Sequence, residues 1–310
     1  MKVWIADRLG PDAARLLTQA GYEVVERSGL EGEELGKALA GADALLVRGA
    51  TQVTRAVLAK ANGLRAVARA GSGVDNIDLD ACRDQGVAVF NAPGANAVSV
   101  AEHAWALILA VFRHLPRAAQ SMAAGRWEKS QLGGREVRGK TLGIVGFGRI
   151  GQEVARLGLA FGCDVVGHDP LVDAALAVPG ARAASLDDLL ATSDIVSLHA
   201  PLVPETRGLL NAERLARMKA GAVLVNCARG ALVDETALES ALTQGRLAGA
   251  GLDVFQTEPP GERPLFHLPN VIATPHVAAS TPEAQTRAGI EAAAAVRDFL
   301  ATGAAPGRVA

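Results

Sequence analysis

Cysteine is scarce: Cys82, Cys163 and Cys227 are far apart and odd in number. That excludes a disulfide framework and a Cys-x-x-Cys metal pair. No charge of one sign dominates, since 31 Lys and Arg face 33 Asp and Glu for a net charge of −2. Neither a nucleic-acid surface nor an acidic tail follows from that balance. No apolar run approaches the roughly 18–20 residues of a membrane span. The N-terminal "MKVWIADRLG" enters a strand directly, without an apolar signal segment, so a cytoplasmic location is expected. Fixed-period repeats and low-complexity segments are missing as well.

What is there is small and apolar. The chain holds 34 glycines and is 49% hydrophobic, 21% charged and 4% aromatic, a globular composition suited to close strand–helix packing. Its 310 residues suffice for two domains, because a single core rarely grows past roughly 250–300 residues.

Short β-branched runs alternate with helical patterns. The first part offers strands at 2–6, 23–26, 44–47, 65–68 and 87–90. A second series offers strands at 142–145, 164–167, 195–198, 223–226, 249–253 and 271–273. Helices such as "PDAARLLTQAG" lie between them, with Pro11 at the start and Gly21 just past the end. Such alternation implies right-handed crossovers and parallel sheets. The predicted class is α/β, with two doubly wound parallel-sheet domains. Residues 97–115, "AVSVAEHAWALILAVFRHL", read as one long helix too apolar all round for an exposed one. It is expected to be buried or at a subunit interface, and His103 on it reads as structural.

The segment "TLGIVGFGRIGQEVARLGLAFGCDVVGHDP" carries the first chemistry. Gly146-x-Gly148-x-x-Gly151 follows a strand and opens a helix. The first glycine permits the tight turn, the second lets the backbone approach a pyrophosphate, and the third lets helix and strand pack closely. The helix N-terminus supplies N–H groups and a positive dipole end. Asp169 ends the next strand about 20 residues on, where a carboxylate accepts from ribose hydroxyls and repels a 2′-phosphate. NAD is therefore favoured over NADP.

Ligands of open α/β sheets bind beyond the carboxyl ends of the strands. Arg48 closes "ALLVRGAT", Arg69 closes "RAVARAGSGVDN" ahead of Gly71-Ser72-Gly73, and Arg229 closes "AVLVNCARG". Three arginines at strand ends suggest an anionic substrate, whose carboxylate or phosphate matches the guanidinium fork. Glu258 follows "LDVFQTEPP" and His276 closes "VIATPH". A histidine there suits proton transfer to a carbonyl being reduced, with a carboxylate to orient the ring. Spacing alone does not put the two in contact. His168, His199 and His267 form no metal spacing, and Cys227 reads as a small buried residue.

The chain resembles the NAD-dependent D-isomer-specific 2-hydroxyacid dehydrogenases, and among them most closely the D-3-phosphoglycerate dehydrogenases. The resemblance rests on "RAGSGVDNID", "NAPGANAVSVAEH", "GKTLGIVGFGRIGQEVA", "DIVSLHAPL", "LVNCARGALVDE", "GLDVFQTEPP" and "VIATPHVAAST", in order over nearly the whole chain. It implies a Rossmann-type NAD domain at 96–279, inserted into a flavodoxin-like substrate domain at 1–95 and 280–310. It also implies that Arg229 holds the substrate's carboxylate and carbonyl, that Glu258 pairs with the histidine, and that His276 is the general acid/base. Gly146, Gly148, Arg149, Ile150, Gly151, Asp169, Thr206, Cys227 and Asp253 fall on cofactor positions. Arg48, Arg69, Gly71, Ser72 and Gly73 are the substrate-binding candidates. The long apolar helix matches a dimer-interface element, so a homodimer is expected, with pairing into tetramers left open.

One departure stands out: Gly49 occupies a place where the phosphoglycerate enzymes usually have serine, while Lys129 supplies the basic residue common after "WE". The sequence also stops at Ala310, without the C-terminal regulatory domains of longer members, so feedback through such a domain is not expected. The implied reaction is NAD-dependent oxidation of 3-phospho-D-glycerate to 3-phosphohydroxypyruvate, the first step of the phosphorylated serine pathway. Two alternatives stay open: a hydroxypyruvate or glyoxylate reductase, and an NAD-sensing regulatory protein.

Overall fold

The structure, a computed structural model, describes residues 1–304 and 307–310. It divides into two compact units, Met1–Ala97 with Ala279–Ala310, and Val98–Ala278.

The first unit contains β1 (Lys2–Ile5), β2 (Glu23–Glu26), β3 (Ala44–Val47), β4 (Ala66–Arg69) and β5 (Ala88–Asn91). All pair in parallel, in the order β2-β1-β3-β4-β5. This is the flavodoxin-like order, whose direction of winding reverses between β1 and β3. Side chains of a strand alternate between faces. Accordingly Ala44 and Leu46 join a core with Leu17, Ala292 and Val296, while Leu45 and Val47 join another with Leu35, Leu39 and Val57. Both faces are covered, so the strand reads as a continuous apolar run. The helix Pro282–Thr302 closes one face with Ala288, Ala292 and Ala293, whose small side chains allow close approach.

The second unit contains β6 (Thr141–Val145), β7 (Asp164–His168), β8 (Arg182–Ala183), β9 (Ile195–Leu198), β10 (Val223–Asn226), β11 (Gly249–Leu252) and β12 (Val271–Ala273). The sheet is again parallel, ordered β12-β11-β10-β9-β6-β7-β8, and its winding reverses between β6 and β9. The anticipated strands are present with ends displaced by a residue at several places: 65–68 becomes Ala66–Arg69, and 249–253 ends at Leu252. Pairing with neighbours, which local pattern does not encode, sets those ends. Strand β8 was not anticipated, since two exposed residues carry no periodic signal.

The apolar stretch 97–115 is not one helix. It runs Ala97–Phe112, breaks at His114 with φ 51°, and continues as Leu115–Ala123 after a 65° bend. Pro116 explains the break, because it lacks an N–H and its ring would clash with the preceding turn. Burial within its own unit accounts for most of the apolar surface. Trp105 stacks on Phe161 at 4.6 Å and donates from Nε1 to Val154 O at 3.1 Å. Leu107 and Val111 lie against Gly251 and Gly249 of β11, where a side chain would collide with them. No single helix among the described residues is long and apolar enough to cross a membrane.

Candidate active site

Strand β6 leads into the glycine turn. Gly146 has φ 90°, and a side chain there would run into the main chain of His199 and Ala200 just past β9. The turn therefore lies over the point where the sheet's winding reverses, the place where such sheets bind ligands. A side chain at Gly151 would meet the Gly146 carbonyl, whereas Gly148 is exposed with open space beside it. Gly148 caps the helix Arg149–Ala160 without a side-chain bond. The N–H groups of its first turn, from Arg149 and Ile150 onward, have no intrahelical partner and suit an anion.

Asp169, half-buried just past β7, accepts the Phe147 N–H at 2.7 Å on Oδ2 and the Leu171 N–H at 2.8 Å on Oδ1. It pins the glycine turn to the end of β7. An ionised carboxylate has about four acceptor positions, so capacity remains for two ribose hydroxyls. Main-chain N–H groups for a pyrophosphate and a carboxylate for a ribose form the donor and acceptor set that a dinucleotide needs.

Thr206 closes the turn after β9: its Oγ1 accepts from Val203 N at 2.9 Å and donates to Pro201 O at 2.6 Å. Cys227 is buried just past β10, and burial pushes its thiol up, so it is a neutral apolar residue there. The ring of His199 bonds Ser197 Oγ at 2.8 Å through Nε2, and burial pushes its pKa down to about 3.

Adjacent strands β10, β11 and β12 place Arg229, Glu258 and His276 at one edge of the sheet, each just beyond a carboxyl end. Glu258 Oε2 lies 2.7 Å from His276 Nδ1, and Glu258 Oε1 accepts the Phe255 N–H at 3.0 Å. A carboxylate at Nδ1 fixes the ring proton there and leaves Nε2 for a ligand. His276 has φ 53°, a left-handed conformation that costs a non-glycine residue about 1–2 kcal/mol.

The restraint that holds this turn is Asp253. Wholly buried, its carboxylate accepts from Thr274 Oγ1 at 2.6 Å and from Val277 and Ala278 N–H at 2.9 Å each. His276 N–H donates to its carbonyl at 2.9 Å. Burial alone would raise the Asp253 pKa; hydrogen bonds from His103, Thr274, Val277 and Ala278 outweigh it and hold the group below the usual carboxylate range. The resemblance placed Asp253 among cofactor positions; the structure sets its carboxylate beneath the His276 turn. His103 Nε2 stands 3.0 Å from Thr274 Oγ1, 171 residues along the chain. The sequence reading missed Thr274 and took His103 only as structural, because nothing local signals the pairing.

Arg229 donates from Nη1 to Ala228 O at 2.7 Å, and Asn226 braces its turn from both sides, to Arg229 O and from Ala228 N. A side chain at Gly230 would collide with the main chain of Phe255 and Gln256, so the Arg229 turn abuts the loop that carries Glu258.

In the first unit, Arg48 follows β3 and Arg69 ends β4. Buried Asp7, past β1, accepts the Arg48 N–H and, at 2.7 Å, the Thr51 hydroxyl. Asn76 Nδ2 donates to Arg48 O and Thr51 O. Arg69, expected to reach a ligand, gives Nε to Arg48 O at 2.8 Å and Nη1 to Gly73 O. It braces two loops. The Arg48 guanidinium makes no hydrogen bond or ion pair among the described residues. Ser72 bonds Asn96 Oδ1 at 2.7 Å and its carbonyl accepts from Asn91 Nδ2 at 2.7 Å. Gly71, Ser72 and Gly73 are thus held chiefly from their carbonyl side.

The sequence profile of the D-isomer specific 2-hydroxyacid dehydrogenase NAD-binding domain matches residues 105–278, more than half of the chain. The chain belongs to the D-isomer-specific 2-hydroxyacid dehydrogenases. A D-3-phosphoglycerate dehydrogenase of Mycobacterium tuberculosis is 51% identical over 300 residues, 96% of this chain and 57% of that protein. The chain thus spans little more than half the length of that relative. A hydroxypyruvate reductase of Thermotoga maritima is 46% identical over 294 residues, 94% of this chain and 95% of that protein. Among solved structures, the TT0316 protein of Thermus thermophilus superposes with a TM-score of 0.90 at 40% identity, covering 100% of both chains. The residues matched as the dehydrogenase family's NAD-binding domain lie within the second unit, whose glycine turn and Asp169 carry the dinucleotide set.

Proposed function

We propose that this dehydrogenase oxidises a small anionic D-2-hydroxy acid with NAD, and that the acid is 3-phospho-D-glycerate. The observation that carries the reading is the 2.7 Å contact between His276 Nδ1, on a left-handed turn after β12, and Glu258 Oε2 after β11, the strand adjacent to the one that leads to Arg229. NAD, when bound, supplies the hydride acceptor for C2. His276 Nε2 takes the proton of the C2 hydroxyl as general base. Glu258 holds the ring by Nδ1 and compensates the charge that the ring acquires. Arg229 binds the carboxylate and polarises the forming carbonyl, an interaction that strengthens as charge develops on oxygen.

The first-turn N–H groups of the helix Arg149–Ala160 hold the pyrophosphate, and Asp169 selects an unphosphorylated ribose. Thr206, Cys227 and Asp253 shape the remaining dinucleotide contacts, Asp253 through the turn it supports. In the first unit, the substrate-domain candidate, the Arg48 guanidinium takes the phosphate, with Arg69 bracing the loops at Gly71, Ser72 and Gly73. The working assembly is a homodimer, supported by the exposed Leu115, Met122 and Trp127 that remain on and after the Leu115–Ala123 helix.

Reduction of hydroxypyruvate or glyoxylate is the second reading, favoured by the full-length match to the Thermotoga protein and by Gly49 in place of a serine. Purified protein would be assayed for NADH formation with 3-phosphoglycerate and NADH consumption with 3-phosphohydroxypyruvate, hydroxypyruvate and glyoxylate. Efficient turnover of only the unphosphorylated acids would move the assignment to the second reading. Tight NADH binding without turnover of any acid would point to a regulatory protein instead.

A further inference from the structure

The loop that carries Glu258 holds few main-chain bonds of its own. Among the described residues, no N–H from 254–263 donates to a main-chain carbonyl. Apart from the Phe255 N–H bond to Glu258 itself, the loop is tied down by side chains. Gln256 Nε2 donates to Val233 O at 2.7 Å, and Phe255 packs edge-on to Phe266 at 5.1 Å. Beside the Glu258–His276 contact itself, a further external anchor is one carboxylate. Glu235, 8% exposed, accepts the Gln256 N–H at 2.6 Å on Oε1 and Arg263 Nη1 at 2.5 Å on Oε2. Arg263 Nε in turn donates to Pro260 O at 3.0 Å. One acid therefore grips the loop two residues before Glu258 and five residues after it.

The other end of this grip matters equally. Glu235 opens the helix Glu235–Thr243, which Asp234 caps, and lies on the same β10–β11 connection as Arg229. That connection touches the loop a second time where Gly230 meets Phe255 and Gln256. We propose that Glu235 and Arg263 are positioning residues that lock the Arg229 connection to the Glu258 loop, and so set where the Glu258 carboxylate meets His276. The proposal rests on the assignment of Glu258 and His276 as the reacting pair's support. Only a carboxylate offers both grips at once. A misplacement of about 1 Å in such a constellation can cost about 100-fold in rate, whereas the main sheet, anchored by strand pairing, is untouched.

The test compares wild type with Glu235→Gln, Arg263→Met, the double variant and Arg263→Lys. Keto-acid reduction with NADH, thermal unfolding and amide hydrogen exchange are measured on each. Glu235→Gln and Arg263→Met are expected to lower kcat about tenfold or more. The double variant should be no worse than either single change, because both break one device. The KM for NADH stays within about twofold, and Arg263→Lys, which keeps the ion pair, recovers about half of kcat or more. Exchange of the Phe255 and Gln256 amides quickens at least about tenfold while that of Leu224 in β10 is unchanged.

Unchanged kcat in Glu235→Gln overturns the proposal. So does a loss that tracks the unfolding temperature, with Arg263→Lys no better than Arg263→Met. Should wild type reduce none of the acids, the functional assignment fails on its own, and amide exchange still decides the clasp: equal exchange in Glu235→Gln refutes it.

Discussion

The two units solve one problem in the same way and then part. Each places a buried aspartate just past a strand, Asp7 after β1 and Asp253 after β11. Each aspartate accepts a threonine hydroxyl, from Thr51 or Thr274, and the N–H groups of a loop past a neighbouring strand. Each such loop carries a candidate site residue, Arg48 in one and His276 in the other. In both, the carboxylate serves the main chain, because a buried polar loop must find partners or lose about 1–3 kcal/mol per orphaned group. The difference lies in what is held. The Arg48 loop needs no left-handed non-glycine residue, while His276 has φ 53° and a second acid, Glu258, on its ring. The first unit holds a loop of ordinary backbone that leaves the Arg48 guanidinium without a hydrogen bond or ion pair among the described residues; the second holds a left-handed histidine with a carboxylate at its ring.

Breaking the left-handed histidine has the largest expected effect. His276→Ala should lower kcat by about 10²–10⁴-fold while NADH binding, read by fluorescence titration, stays as in wild type. Activity within tenfold of wild type would remove the second unit's claim to the chemistry. Arg48→Met should raise KM for the phosphorylated acid about 10–100-fold, the loss of a charge-assisted bond, and leave KM for hydroxypyruvate nearly unchanged. Equal effects on both acids would detach Arg48 from the phosphate.

The paired substitutions Asp253→Asn and Asp7→Asn sharpen the contrast directly. Each should cost about 1–3 kcal/mol in urea unfolding, since an amide cannot accept every donor the carboxylate served. Steady-state kinetics should separate them: Asp253→Asn lowers kcat about tenfold, and Asp7→Asn raises the acid's KM with kcat little changed. Identical kinetic signatures would erase the distinction.

The last effect concerns pH and leaves the kinetics aside. All six histidines lie in the second unit and none in the first. His199 is pushed down to about 3 by burial, against about 6.5 in the unfolded chain. Between those values the unfolded chain binds a proton that the folded one refuses. Stability therefore falls as pH drops from about 6.5 toward 3, by at most about 1.4 kcal/mol per pH unit from this residue. Urea unfolding of His199→Gln should show a shallower loss between pH 6.5 and 4.5 than wild type, with the early amide exchange confined to the second unit.

How much of the site was legible depended on how local its cause was. The glycine turn was readable because Gly146 and Gly151 face steric demands that arise within a few residues. The break at His114 could have been read from Pro116, had apolarity not dominated the reading of 97–115. Strand β8, two exposed residues long, offered nothing to read. Glu258 and His276 were each legible as residues at strand ends, but their 2.7 Å contact was not, because it spans a loop whose path Glu235 sets. Arg69 was legible as a strand-end arginine, but the two donors it gives to Arg48 O and Gly73 O were not, because they join separate loops. His103 and Thr274 were beyond reach for the same reason, with 171 residues between them.

By itself the sequence determined the alternation of strands and helices, the glycine turn, and which charged residues stand at carboxyl ends of strands. These follow from periodicity and steric limits that act within a few residues. The tertiary structure alone decided that β10, β11 and β12 lie side by side, that His276 turns left-handed over a buried Asp253, and that Arg69 donates to the Arg48 and Gly73 loops. Those are hydrogen-bond pairings between segments tens of residues apart or more, set by sheet order and burial, and no local pattern encodes them.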